Sequence, residues 1–164
     1  MVEVAAPVVA RCGDLAPGAL AALLLRCDLE LRAVGEGEAI PWSYWGQPEA
    51  GLRGREVYVR ADTPVHSALH ESCHGLCMDE ARRQRLVTDA GGDDLEEAAV
   101  CYLQFLLAAE LPGYGRARLA SDMDLWGYSF RLGSALAWFE RDAEDARAWL
   151  VRHGIQPAML SRRS

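Results

Sequence analysis

The amino-acid sequence predicts an α+β fold in which a small antiparallel sheet packs against several helices. Two early segments, residues 29–34 and 56–60, alternate apolar and polar side chains as half-buried strands do. The rest of the chain, after residue 64, has the caps, breakers and apolar spacing of helices. Early strands followed by helices are typical of this fold class. Because no repeat or low-complexity linker divides the sequence, we expect a single domain over residues 1–164.

The first predicted elements are one helix and the two strands. The helix covers residues 15–26, and Asp14 stands before it as a suitable N-cap. The strands at 29–34 and 56–60 are separated by a turn-rich aromatic stretch at residues 41–48. The sequence therefore places both strands ahead of the longer helices.

A long helix is predicted to begin near Val65 and to extend to about Arg83. Thr63 can cap it, and Pro64 suits the first helical position, where no amide hydrogen is needed. The remaining predicted elements are a loop at residues 88–92 and helices at about 94–110, 116–140 and 142–153. The helix at 116–140 has a possible interruption at Gly127 or Gly133.

Composition excludes some classes of protein. The net charge of −7 gives no electrostatic footprint for nucleic acid. No segment has the ~20 consecutive apolar residues that span a bilayer, and Met1–Val4 lacks the basic start of a signal peptide. The 5 scattered cysteines are an odd set that suggests reduced thiols. We therefore expect a cytoplasmic protein with no membrane partner, whose oligomeric state the sequence leaves open.

The segment His70-Glu71-Ser72-Cys73-His74 has the pattern H-E-x-x-H. On a helix, residues four apart lie on one face, so His70 and His74 can reach the same metal ion. Two neutral imidazoles favour zinc. Glu71 lies between the ligands and can act as a base toward a zinc-bound water. The alternative is an exposed helix that carries these residues by coincidence.

The surroundings of the motif resemble those in zincin metallopeptidases. Ala68, Leu69, Gly75 and Leu76 are uncharged, as in the extended zincin signature. A strand lies just upstream at residues 56–60, and the resemblance implies that it is an edge strand on which a substrate peptide aligns. It also implies zinc-dependent hydrolysis of peptide bonds.

A third metal ligand is expected on the helix that follows, where Glu96 and Glu97 are adjacent. The stretch from Glu96 resembles the second helix of minimal gluzincins of the ImmA/IrrE type, with Glu96, Ala99 and Tyr102 in register. Val100 stands where these proteins have Asp or Asn, so the usual support for a ligand histidine is missing or comes from elsewhere.

Burial favours Glu96 over Glu97 as this ligand. Glu96 projects onto the apolar face of its helix, where a carboxylate is costly unless paired or metal-bound. Glu97 projects onto a more mixed face with Cys101 and Gln104. Both acids also fit a simple capping role in a first helical turn, and Glu97 remains an alternative ligand.

Other candidates have weaker claims. His66 is on the same face as His70, but three histidines on one helix span about 11 Å, too far for one ion, so His66 is expected at the rim or as a supporting residue. Cysteine ligands would form a structural zinc site, although short C-x-x-C pairs are absent. Candidates for stabilising an oxyanion are Tyr102, Tyr114, Tyr128, Arg131 and His153.

These features together predict a zinc metallopeptidase of minimal zincin type. His70, His74 and Glu96 would hold Zn²⁺, Glu71 would be the catalytic base, and the substrate would be a peptide or protein. Two alternatives remain: a catalytically inactive zinc-binding interaction module, and a structural helical protein without metal.

Overall fold

The computed structural model describes residues 8–85 and 93–155, which form an α+β domain with seven α-helices and a three-stranded sheet. In chain order the elements are α1 (Ala19–Arg26), β1 (Glu30–Ala33), β2 (Gly51–Arg53), β3 (Glu56–Val59), α2 (Val65–Cys77), α3 (Glu80–Arg85), α4 (Asp94–Ala109), α5 (Gly115–Trp126), α6 (Ala135–Arg141) and α7 (Glu144–Arg152), with short 3-10 turns at Cys12–Asp14 and Arg131–Gly133. The predicted loop at 88–92 lies outside the described residues.

The sheet is mixed, and its strand order is β1-β3-β2. Strand β3 pairs in parallel with β1 and antiparallel with β2. The predicted small antiparallel sheet is thus present with one antiparallel pairing and one parallel pairing, whereas the prediction that residues 56–60 form an edge strand was wrong, because β3 is the central strand. The sequence did not predict β2, because this three-residue strand starts at a glycine and is too short to show a clear alternation. Its pairing places β3 in the middle of the sheet. Strand β2 joins β3 through the tight turn at Gly54, whose φ is 60°.

A closed loop at residues 40–49 leads into β2. The Gln47 side chain accepts a hydrogen bond from Ile40 N (2.8 Å) and donates one to Ile40 O (3.2 Å), so it pairs with the backbone as a strand would. A β-carbon at Gly51 would lie 1.9 Å from Pro41 O. Position 51 therefore requires glycine for the loop to return so close to the start of β2.

Helix α2, which carries the H-E-x-x-H motif, lies between the sheet and helix α4. Most of its apolar side chains are buried, and Leu69 and Cys73 are fully buried. A β-carbon at Gly75 would approach Leu52 and Leu29 at 3.4 and 3.6 Å, which brings this helix close to the sheet. The motif thus lies on a largely buried helix.

Helix α2 ends at Cys77, earlier than predicted, and a separate helix α3 follows. Asp79 accepts a hydrogen bond from Arg82 N (2.7 Å) and so begins α3 as its N-cap. The buried Arg83 guanidinium donates to Gly75 O (2.9 and 2.7 Å) and to Met78 O (2.6 Å). An arginine thus satisfies carbonyl groups at the end of α2 that a continuous helix would have bonded itself.

The predicted helix at 116–140 is divided into α5 and α6. Gly127, with φ 107°, ends α5, and the Ser134 side chain caps α6 by accepting from Ala137 N. The first helix also starts later than predicted, at Ala19, because Asp14 instead accepts from Arg11 N in the preceding 3-10 turn. No helix within residues 8–85 and 93–155 is long and apolar enough to cross a membrane.

Candidate metal centre

Two histidines of α2 and one glutamate of α4 converge. His70 Nε2 and His74 Nε2 are 3.1 Å apart. Glu97 Oε1 lies 2.9 Å from His70 Nε2, and Glu97 Oε2 lies 3.3 Å from His74 Nε2. Among the described residues this is the group of three potential ligand atoms close enough to share one ion.

The spacing of these atoms fits zinc. Four ligands at bond lengths of about 2.0–2.1 Å in tetrahedral geometry place neighbouring ligand atoms about 3.3 Å apart. The distance between the two Nε2 atoms is 3.1 Å, and each Nε2 lies 2.9 or 3.3 Å from the nearer Glu97 oxygen, so all three distances approach that value. Two imidazoles and one carboxylate also leave a fourth position open, as catalytic zinc sites do.

Gln104 fixes the tautomer of His70. Its Nε2 donates to His66 O (3.0 Å), so the amide oxygen must face the His70 ring. Gln104 Oε1 lies 2.8 Å from His70 Nδ1, and an amide oxygen only accepts. Nδ1 therefore carries a hydrogen, so it is Nε2 that faces His74 and Glu97 and that offers a lone pair whenever the ring is neutral. This is the support that the sequence lacked at Val100.

The structure corrects the choice between the two adjacent glutamates. Glu96 is buried, as its position on the apolar face predicted, with 5% of its surface exposed. Its carboxylate, however, receives two hydrogen bonds from Arg82, at 2.5 and 2.9 Å. Glu97, not Glu96, lies with the histidines. The prediction failed because it assumed that a buried carboxylate needed a metal, whereas the break before α3 supplies an arginine.

His70 and Glu97 shift each other's pKa values, and His74 contributes to the shift of Glu97. Burial alone would raise the pKa of Glu97, but hydrogen bonds from His70 and His74 outweigh it and hold that pKa well below its usual value. Burial likewise opposes protonation of His70, whereas Tyr128, Cys101 and Glu97 raise its pKa well above the usual value. Since a metal ligand must be deprotonated, an ion would compete with a proton on His70.

Glu71 lies beside this cluster and lines the adjoining cleft. Only 4% of the residue is exposed, yet its carboxylate makes no hydrogen bond or ion pair within the described parts of the chain. Burial raises the pKa of Glu71, while His70 and His74 lower it, and the net shift is upward. A carboxylate in this state can accept a proton inside the cleft.

The cleft has a volume of about 350 Å³. Its walls are formed by Trp45, Glu49, Ser67, His70, Glu71, Glu97, Trp126, Gly127 and Tyr128. Of the five side chains predicted as possible oxyanion stabilisers, Tyr128 is the one in this wall. Burial raises the pKa of Tyr128 to about 12, so its hydroxyl keeps its proton at neutral pH.

The other four predicted helpers have partners elsewhere. Tyr102 packs on Phe139, and Tyr114 hydrogen-bonds Asp122. Arg131 pairs with Asp142 at 2.7 Å and lines a neighbouring cavity that shares Glu97 with the cleft, while His153 stacks on Trp149.

His66 and the cysteines are outside the cluster of potential ligands. His66 is fully buried, and its Nδ1 lies 3.2 Å from the Tyr128 hydroxyl, which makes it a supporting residue of the cleft wall. Burial lowers the pKa of His66 to about 4. Cys73 is buried, and burial raises its pKa well above the usual value. All five cysteines are free of disulfides.

Comparison with protein families, with curated proteins and with solved structures found no significant match to this chain. The candidate site is therefore argued from its own geometry.

Proposed function

We propose that this protein is a zinc-dependent metallopeptidase of minimal zincin type, in which His70, His74 and Glu97 hold Zn²⁺. The observation that carries the proposal is the convergence of three side chains, whose closest potential ligand atoms are 2.9 to 3.3 Å apart in each pair, beside a cleft that Glu71 also lines. A structural zinc site would be closed by a fourth protein ligand. Here His70 and Glu97 border an open cleft, where water or substrate could supply the fourth ligand, and this favours a catalytic site.

Zinc, when bound, would polarise the scissile carbonyl and make a water molecule more acidic. Glu71 would take the proton from the attacking water and deliver it to the leaving amine, a role that suits a buried carboxylate with a raised pKa. Tyr128 would donate its hydroxyl hydrogen to the oxygen that gains negative charge. Gln104 would keep His70 in the tautomer that binds metal.

Metal content and hydrolysis test the proposal together. The purified protein should contain about one zinc per chain, and His70→Ala and His74→Ala should lose it. The zinc-loaded protein is then incubated with a peptide library, and new termini are identified by mass spectrometry. We expect cleavage that a chelator abolishes and that Glu71→Gln removes without loss of zinc.

Tyr128→Phe refines the test. It removes one donor and leaves the ring in place, so kcat should fall by about 100-fold while KM changes little. Zinc binding without any Glu71-dependent turnover would replace the proposal by the alternative of an inactive zinc-binding module. A folded protein that takes up no zinc when supplied with it would refute both.

A further inference from the structure

Glu49 is a third carboxylate in the wall of the cleft, beside Glu71 and Glu97, and neither the metal cluster nor the proposed chemistry uses it. Its backbone is fixed within the loop at residues 40–49. Glu49 N donates to Gly46 O (3.0 Å), and Glu49 O accepts from Ser43 Oγ (2.9 Å). The next residue, Ala50, donates its amide hydrogen to Ser67 Oγ of α2 (2.9 Å), which ties the loop to the motif helix.

The Glu49 side chain is half-buried and has no cationic partner in the parts of the chain that the structure describes. Trp126 lies close enough to this carboxylate to lower its pKa, and both residues line the cleft. Burial raises the pKa of Glu49 more than His70 and Trp126 lower it. Elsewhere in the described structure acidic side chains commonly pair with arginine, as Glu56 does with Arg32 at 2.8 Å. Glu49 therefore lines the cleft without a cationic partner among the described residues.

Glu49 gives the cleft an excess of negative charge. Of the residues that the structure describes, the cleft wall contains Glu49, Glu71 and Glu97 but no arginine. A Zn²⁺ ion would neutralise the charges of Glu71 and Glu97, and the charge of Glu49 would remain. A half-buried negative charge without a partner is costly, so a positively charged group entering the cleft would be favoured there.

Two tryptophans, Trp45 and Trp126, line the cleft together with Glu49. Trp45 has 66% of its surface exposed. The ring of Trp45 is held edge-on against Tyr44, with centroids 5.0 Å apart. Indole faces attract ammonium and guanidinium groups, most strongly in partly desolvated sites.

We propose that Glu49, with Trp45 and Trp126, binds a positively charged group of the substrate next to the metal centre. That group is the α-ammonium of a peptide or the side chain of a lysine or arginine residue. A second feature of the cleft supports a ligand here: Glu71, 4% exposed and unpartnered among the described residues, lines the same space. This inference rests on the proposed function, because it names the substrate class of that site.

The test measures binding of four small probes by the change in tryptophan fluorescence, at constant ionic strength. Argininamide carries both cationic groups, N-acetyl-argininamide only the side chain, leucinamide only the α-ammonium, and N-acetyl-leucinamide neither. The proteins are the zinc-loaded parent, Glu49→Gln, and Glu140→Gln as a matched control, since Glu140 is an exposed glutamate on α6. Each titration is repeated with chelator, so that the cation site is read separately from the metal.

We expect at least one cationic probe to bind, and Glu49→Gln to weaken it by about 10- to 100-fold, the range for losing a hydrogen bond to a charged group. Glu140→Gln should bind as the parent does. Comparison of leucinamide with N-acetyl-argininamide then identifies which cation is recognised. Equal binding of N-acetyl-leucinamide, an unaffected Glu49→Gln, or no binding of any cationic probe at millimolar concentration would overturn the inference.

The two proposals fail separately. A protein that binds zinc and cleaves peptides in a Glu71-dependent manner without preference for a cationic group keeps the proposed function and loses the subsite. A protein without zinc or turnover loses the proposed function, whatever the fluorescence titrations give.

Discussion

Replacing Glu97 by glutamine removes a carboxylate that lies 2.9 Å from His70 Nε2 and 3.3 Å from His74 Nε2. The amide that remains is uncharged and is a weaker zinc ligand. Substitution of residues that merely support metal ligands weakens binding by about 10- to 100-fold, so loss of a direct ligand should raise the zinc Kd by at least about 100-fold. The fold should persist, because 44% of the Glu97 side chain is exposed.

Glu96→Gln is the matched change one residue away, and it should have the opposite effect. It leaves Arg82 without the buried carboxylate that now receives two hydrogen bonds. Breaking a fully buried pair costs about 3–5 kcal/mol, and the 32% exposure of the Arg82 side chain reduces this to about 2 kcal/mol. For a chain of this length the midpoint of thermal unfolding should fall by about 4–8 °C. The zinc Kd should change by less than about threefold.

Zinc affinity is measured by competition with a chromophoric chelator, and stability by thermal unfolding of the metal-free proteins. The expected pattern is a large change in zinc Kd for Glu97→Gln alone and a large change in stability for Glu96→Gln alone. If Glu96→Gln releases zinc and Glu97→Gln retains it, the ligand assignment drawn from the geometry is refuted.

Three further substitutions test the surroundings of the site. Gln104→Leu should raise the zinc Kd by about 10- to 100-fold, because His70 loses the acceptor that fixes its tautomer; an unchanged Kd in the chelator assay would contradict this. Arg83→Ala should lower the free energy of unfolding by about 3 kcal/mol, because the carbonyl groups at the end of α2 lose their donor. Arg85 is exposed, so Arg85→Ala should change that free energy by less than about 0.5 kcal/mol. Similar denaturant midpoints for the two variants would exclude a capping role for Arg83. His66 is buried in its neutral form with a pKa of about 4, below the value of about 6.5 expected when unfolded, so its contribution to stability is present above pH 6.5 and lost as the pH falls toward 4. His66→Asn should therefore make metal-free unfolding less acid-sensitive over that range by up to about 3 kcal/mol, and parallel pH profiles for parent and variant would argue against the shift.

Local patterns in the sequence predicted the parts of the fold that depend on neighbours along the chain. The alternation at residues 56–60 predicted β3, and the helix predicted from about residue 94 is α4, which Asp93 caps by accepting from Glu96 N. The α+β class followed from the order of these elements. Pairing of strands could not be predicted in the same way, because β2 has only three residues and the parallel partner of β3 is distant in sequence.

For the candidate site, the sequence brought His70 and His74 to one helical face, but it could not decide between adjacent glutamates. That decision depends on Arg82, which reaches Glu96 only because α2 ends at Cys77 and the chain turns into α3. Asp79 was the available signal for this break. Gln104 also gave a signal, since it is a polar residue that shares a helical face with Glu97.

Gly51 has a consequence for how the cleft can change over evolutionary time. The Pro41 carbonyl occupies the space where a β-carbon at position 51 would stand, so these two positions are tied to each other. Relatives that keep this loop should be invariant at the glycine, while the side chains of Trp45 and Glu49, which make none of the hydrogen bonds that close the loop, are free to diverge. Such an arrangement lets selection alter the wall of the cleft without disturbing the helix that carries the histidines.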